Sequence, residues 1–214
     1  TTLIMGNCGI GFAPCEPNAD ARGRLITVVE DVEDIPGAAL HEGVKWDWET
    51  FPEYLDAVEK FPRAIDVGAQ VPHCAVRTYV MGERGAKNEI ATPADVSAMA
   101  AIVKEGIESG AIGFTTSRTE LHTTGGDQAM PGTYADEAEL LGIGKVIGEL
   151  GGKGIFGLVS DFHNWEQEMD WMKRLSVDNN CQINFVLFSV KKRTGIVSSS
   201  SWTTVARPTL RAPN

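Results

Sequence analysis

Short continuous apolar runs alternate along this chain with longer stretches in which apolar residues recur every three or four positions. Thr2 to Met5 is β-branched and apolar and stops at Gly6, which predicts a strand emptying into a glycine-rich loop, Gly6 to Gly11. Leu25 to Val29 fits either a strand or the start of a helix. Asp31 to Trp48, rich in Gly, Pro and acid, reads as a long loop in which Trp46 and Trp48 pack. Glu49 to Lys60 has a helical pattern ending before Phe61-Pro62, and Ala64 to Val71 reads as a second strand closed by Pro72-His73. The clearest helix begins at Thr92: the threonine suits the N-cap, Pro93 the first helical position and Asp95 the first turn. Val96, Met99, Ala100, Val103 and Ile107 then form one stripe, and Gly110 supplies the stop.

Strand and helix keep alternating: Ala111 to Thr115 a strand, Ala135 to Leu150 a helix, Ile155 to Ser160 a strand, Asn164 to Leu175 a helix, Gln182 to Val190 a strand. Continuous apolar strands separated by amphipathic helices imply an α/β fold, a parallel sheet covered by helices, with its chemistry in the loops after the strands. About five strand–helix units fit residues 1–190, where a closed barrel needs eight. From Lys191 to Asn214 the chain is basic, Ser-rich and without periodicity, and is expected to be an irregular tail.

Charge narrows the partners. With 19 basic and 29 acidic residues the formal charge is −10, which disfavours nucleic-acid phosphates and anionic lipid surfaces. No run approaches the roughly 18 apolar residues of a membrane helix. Cys8, Cys15, Cys74 and Cys181 form no C-x-x-C pair and are too sparse for a disulfide framework, so reduced thiols and a cytoplasmic protein are expected. The chain opens in a strand, with neither an initiator Met nor a basic leader, and is expected to be an internal piece of a longer protein that would aggregate or fold poorly alone.

Several side chains could carry chemistry. Cys8 lies between glycines just past the first strand, where a thiolate could bind zinc or act as a nucleophile, or where a small buried hydrophobe could sit. The GNCGIG spacing is wrong for a dinucleotide fingerprint and lacks the basic residue of a phosphate loop. His73 could ligate a metal or bond substrate and Arg77 could clamp a carboxylate, or the two could be a satisfied histidine and a surface ion pair. Thr115 to Arg118 could form an anion-binding loop or a capped turn, while His122 and His163 read as surface loop residues. No H-x-H or H-E-x-x-H motif is present, so residue chemistry alone leads only to a parallel α/β enzyme fragment.

At MGNCGIGFAP the sequence resembles the D-aminoacylase (N-acyl-D-amino-acid deacylase) branch of the amidohydrolase superfamily. The segments VEDIPGAALHEGVKWDWETFPEYLDAVE, AIDVGAQVPHCAVRTYVMG, ATPADVSAMAAIVKEGIESGAIGFTTSR and MPGTYA agree with it in order. The resemblance implies a partial (β/α)8 TIM-type metal-dependent hydrolase barrel, zinc as cofactor, and small N-acyl-D-amino acids as substrates. It makes Cys8 a zinc ligand, and it places His73, Arg77, Ser117 and Arg118 in segments where substrate contacts are expected. The family's H-x-H pair would precede Thr1 and its catalytic Asp would follow Asn214. Its middle-strand histidines are missing: IFGLVSDF has Val159 or Ser160 there with Asp161 beside, and QINFVLFSV has no histidine. That departure admits metal binding through Asp161 or His163, a different substrate such as a cyclic amide, or a non-catalytic barrel.

Overall fold

In a computed structural model, residues 1–188 and 200–203 are described. Five parallel strands form most of one sheet: β1 (Thr2–Met5), β2 (Asp66–Pro72), β3 (Gly113–Arg118), β6 (Ile155–Ser160) and β7 (Gln182–Phe188), adjacent in that order. β8 (Ser200–Thr203) pairs antiparallel with β7. The remainder of the expected Ser-rich tail lies outside the described residues. A hairpin of β4 (Thr123–Thr124) and β5 (Gln128–Ala129) stands apart from the sheet.

Helices cover one face of that sheet. α1 (Ala19–Glu33) and α2 (Gly37–Gly43) follow β1, and α3 (Phe51–Glu59) leads into β2. α4 (His73–Met81), α5 (Glu83–Ala86) and α6 (Pro93–Glu108) connect β2 to β3. α7 (Glu137–Glu149) leads into β6 and α8 (Trp165–Asp178) into β7. α6 starts where the sequence places it, since Thr92 and Asp95 form a reciprocal capping box with Pro93 in the first turn. Its buried stripe, Met99, Val103 and Ile107, packs with Leu140, Ile143 and Ile147 of α7 and with Val71, Phe114 and Phe156 of the sheet. Because strand side chains alternate, Gln70, Thr115, Gly157 and Asn184 point to the opposite face. In a barrel that face is the interior.

One open alternative is resolved as a helix and one expectation is corrected. Leu25 to Val29 lies in the middle of α1, whose first turn is capped by Asn18 accepting from the Ala21 amide at 2.8 Å. Burial of Leu25, Ile26, Val28 and Val29 with Cys74 and Ala75 of α4 outweighs the β-branched bias of the last three. The expected loop from Asp31 to Trp48 contains the end of α1 and all of α2. Its tryptophans do pack together, with ring centroids 5.8 Å apart. β2 and β3 also run further than expected, to Pro72 and Arg118, and β2 passes into α4 with no intervening loop.

Candidate functional site

The loop after β1 is built to present Cys8. Gly6, Cys8 and Gly9 all adopt positive φ, at 88°, 56° and 74°, and this turns the chain back over the sheet. A side chain at Gly6 would strike the Gln70 carbonyl at 2.5 Å, and one at Gly9 would meet the Thr116 backbone at 2.9 Å. The Thr115 hydroxyl donates to the Gly6 carbonyl and accepts from the Gly9 amide at 3.1 Å. Gln70 donates to the Asn7 side chain at 3.0 Å. Cys8 is thereby fixed, half-buried, over the inner face, and with Asn7, Gln70, Thr115, Gly157 and Asn184 it borders a space of about 20 Å³. That is room for one water-sized species. Burial, and then the negative charge of Glu33, push the Cys8 thiol up to about 11. It is therefore neutral near pH 7, and a metal would bind by displacing its proton.

Cys8 fits one position of a zinc site, but amides and hydroxyls surround it. Among the described residues no cluster of three or more His, Cys, Asp or Glu could hold a metal. Asp161, the alternative donor, accepts from the Thr119 hydroxyl and the Glu120 amide, the latter at 2.7 Å. His163 lies 3.6 Å from it and is largely exposed. The described residues thus supply a single well-placed donor and not a complete centre.

The structure does not bring the four expected substrate contacts together. His73 and Arg77 are sealed between the sheet and α7, on the helix-covered side. The two His73 ring nitrogens meet Thr116 Oγ1 and Glu139 Oε1, each at 2.7 Å. Arg77 donates to Glu139, to the Glu89 carbonyl and to the Gly85 carbonyl. Neither can reach a substrate carboxylate, and Arg77 is no surface pair, because both side chains are buried and each of their nitrogens is engaged inside the fold. Arg118 is likewise committed: Nε and Nη2 grip Glu168 at 2.7–3.0 Å and Nη1 donates to the Ala135 carbonyl at 2.8 Å.

Ser117 differs, because it lies at the carboxyl end of β3 on the inner face. Its hydroxyl pairs with His122 Nδ1 at 2.9 Å. His122 is therefore not the surface residue expected. Burial lowers its pKa, against the pull of Asp161, so the imidazole is neutral at pH 7.

Sequence reasoning missed Glu139 and Glu168, the two buried carboxylates that hold the arginines. The one available signal was ambiguous: Asp136 caps the start of α7 and Glu139 stands three residues later, where an acid is ordinary.

Parallel strands, outer helices and a residue-bearing loop at the strands' carboxyl ends define a segment of a (β/α) barrel. A sequence model of the amidohydrolase family matches residues 1–209, and the chain belongs to that family. It is 33% identical over 117 residues to the D-aminoacylase of Alcaligenes xylosoxydans xylosoxydans, covering 54% of this chain and 21% of that relative. It is 32% identical over 116 residues to the N-acyl-D-aspartate deacylase of the same organism, covering 54% and 20%. A crystal structure of D-aminoacylase superposes with a TM-score of 0.58 at 22% identity, over 86% of this chain and 34% of that one. The N-acyl-D-glutamate deacylase of Bordetella bronchiseptica, complexed with zinc and a phosphonate inhibitor, superposes at 0.57 and 22%, over 87% and 35%. The chain thus spans about a fifth of the length of these curated relatives.

Proposed function

We propose that this chain forms part of the catalytic barrel of a cytoplasmic, metal-dependent amide hydrolase that removes the acyl group from N-acyl-D-amino acids. The observation that carries the proposal is the Cys8 loop. Three left-handed residues and a cross-strand threonine hold a thiol over the strands' carboxyl ends, in a chain of the amidohydrolase family. In this reading Cys8 is one zinc donor, and the others come from outside the described residues. Ser117 and His122 form a neutral, hydrogen-bonding wall of the mouth that would meet the substrate. His73, Arg77 and Arg118 are positioning residues that lock α4, α7 and α8 to the strands. The cytoplasmic placement rests on the sparse, unpaired cysteines.

A second reading, hydrolysis of a cyclic amide, draws on Val159 and Ser160 standing where the resemblance expects a histidine. One experiment tests both: metal content and hydrolysis of N-acyl-D-amino acids, their L-enantiomers and a cyclic amide by the full-length protein and its Cys8→Ala variant. Loss of about one zinc per chain, together with loss of D-selective deacylation, is the expected result. A wild-type protein with no metal would overturn the zinc assignment, and turnover of the cyclic amide alone would favour the second reading.

A further inference from the structure

A cavity of about 350 Å³ opens between α1, α4, α5 and the β4–β5 hairpin. This is the lower end of the range that accommodates small-molecule ligands. Its floor is apolar: Leu25, Val28, Cys74, Ala86 and Pro131. Cys74 is wholly buried and its thiol is pushed up to about 12 by burial, so it lines the floor as an uncharged group. The polar rim is Arg24, Thr27, Lys87 and Gln128, with Glu83 beside them.

Arg24 is the unusual member. Among the described residues it has no carboxylate within ion-pair distance, and its Nε, cut off from solvent, has no hydrogen-bond partner. Glu83 pairs with its rim neighbour Lys87 at 2.7 Å, and Arg24 acts on it only through space. In a chain of formal charge −10 the rim is nonetheless net positive, with Arg24 and Lys87 against Glu83. A buried, unpartnered N–H is costly even on a half-buried arginine, and the Nε–Nη edge that carries it can match a carboxylate through two parallel hydrogen bonds.

We propose that this cavity binds a small amphipathic carboxylate, its head on Arg24 and its aliphatic tail over Leu25, Val28 and Cys74. The site is separate from the Cys8 loop and stands whether or not the deacylase reading is right. One wall, Thr124, Gly125 and Gln128, belongs to the segment that follows Ser117 and His122. That wall is pinned by the Gly125 amide to Asp31 at 2.6 Å and by Gln128 to the Ala86 carbonyl at 3.0 Å. An occupant would brace the loop that forms the mouth.

The test is calorimetric titration of the full-length protein with octanoate and with octan-1-ol, for the wild type, Arg24→Gln and the cavity-filling Thr27→Phe. Octanoate should bind the wild type at least about tenfold more tightly than the alcohol. Arg24→Gln should lose about that factor with an unchanged melting temperature, and Thr27→Phe should abolish binding. The proposal fails if octanoate does not bind the wild type, if the alcohol binds as well, or if both folded variants bind octanoate like the wild type. Should one variant not fold, the other decides.

Discussion

Replacing Glu139 by glutamine would remove the carboxylate that His73 and Arg77 share while keeping its shape. Burial raises the Glu139 pKa, but the hydrogen bonds and charges of His73 and Arg77 overcome that and hold it at about 2, against an ordinary 4.5. At about 1.4 kcal/mol per pH unit, that difference corresponds to roughly 3 kcal/mol of native-state stability. Since the folded pKa is the lower one, this stability is fully present above pH 4.5 and is lost as pH falls through 4.5 towards 2. The substitution also leaves the Arg77 charge, which is 1% exposed, with neutral oxygens as its only partners. Breaking a buried pair from one side costs about 3–5 kcal/mol. Urea unfolding of the full-length protein, followed by the fluorescence of buried Trp171, should therefore show Glu139→Gln destabilised by about that much at pH 7. The gap to wild type should shrink by about 2 kcal/mol at pH 3, where the carboxyl is protonated in the unfolded chain but still ionised in the folded one. A cost below about 1 kcal/mol at pH 7, or a gap of equal size at both pH values, would refute the argument.

Cys8 should resist alkylation by iodoacetamide at pH 8 and react faster as pH rises towards 11, because its thiol is held protonated by burial and by Glu33. Rapid modification at pH 8 in the metal-free protein would contradict that environment. Gly9→Ala should cost at least about 1–3 kcal/mol and disturb metal content, because the new methyl meets the Thr116 backbone at a positive φ. A melt and a metal analysis both matching wild type would show that the loop is less constrained than described.

The elements readable in the sequence were those whose signals are local. Thr92, Pro93 and Asp95 define the start of α6 within four residues, and the Gly6–Gly9 loop announces its own turn. α1 was ambiguous because Ile26 to Val29 carries strand-like side chains, and only packing against α4 decides the matter. α4 was hidden by Pro72-His73, which reads as punctuation although the chain continues there as a helix. The roles of His73 and Arg77 were unreadable for a different reason. Their partner Glu139 lies 66 and 62 residues further along the chain, and no spacing rule connects such positions. Burial therefore turned two expected substrate contacts into an internal brace, while His122, five residues from Ser117, moved towards the mouth.

The Thr115 hydroxyl that clasps Gly6 and Gly9 also constrains the order in which the protein can form. It joins groups 109 and 106 residues apart, and closing so long a loop goes unrewarded until the strand carrying the threonine is in place. On that ground the Gly6–Gly9 turn is expected to order only once β3 is in place. Cys8 would then reach its position only after the sheet has begun to assemble. A partly folded chain would present no ordered thiol there, so on the proposed reading metal loading through Cys8 would follow assembly of the sheet rather than guide it.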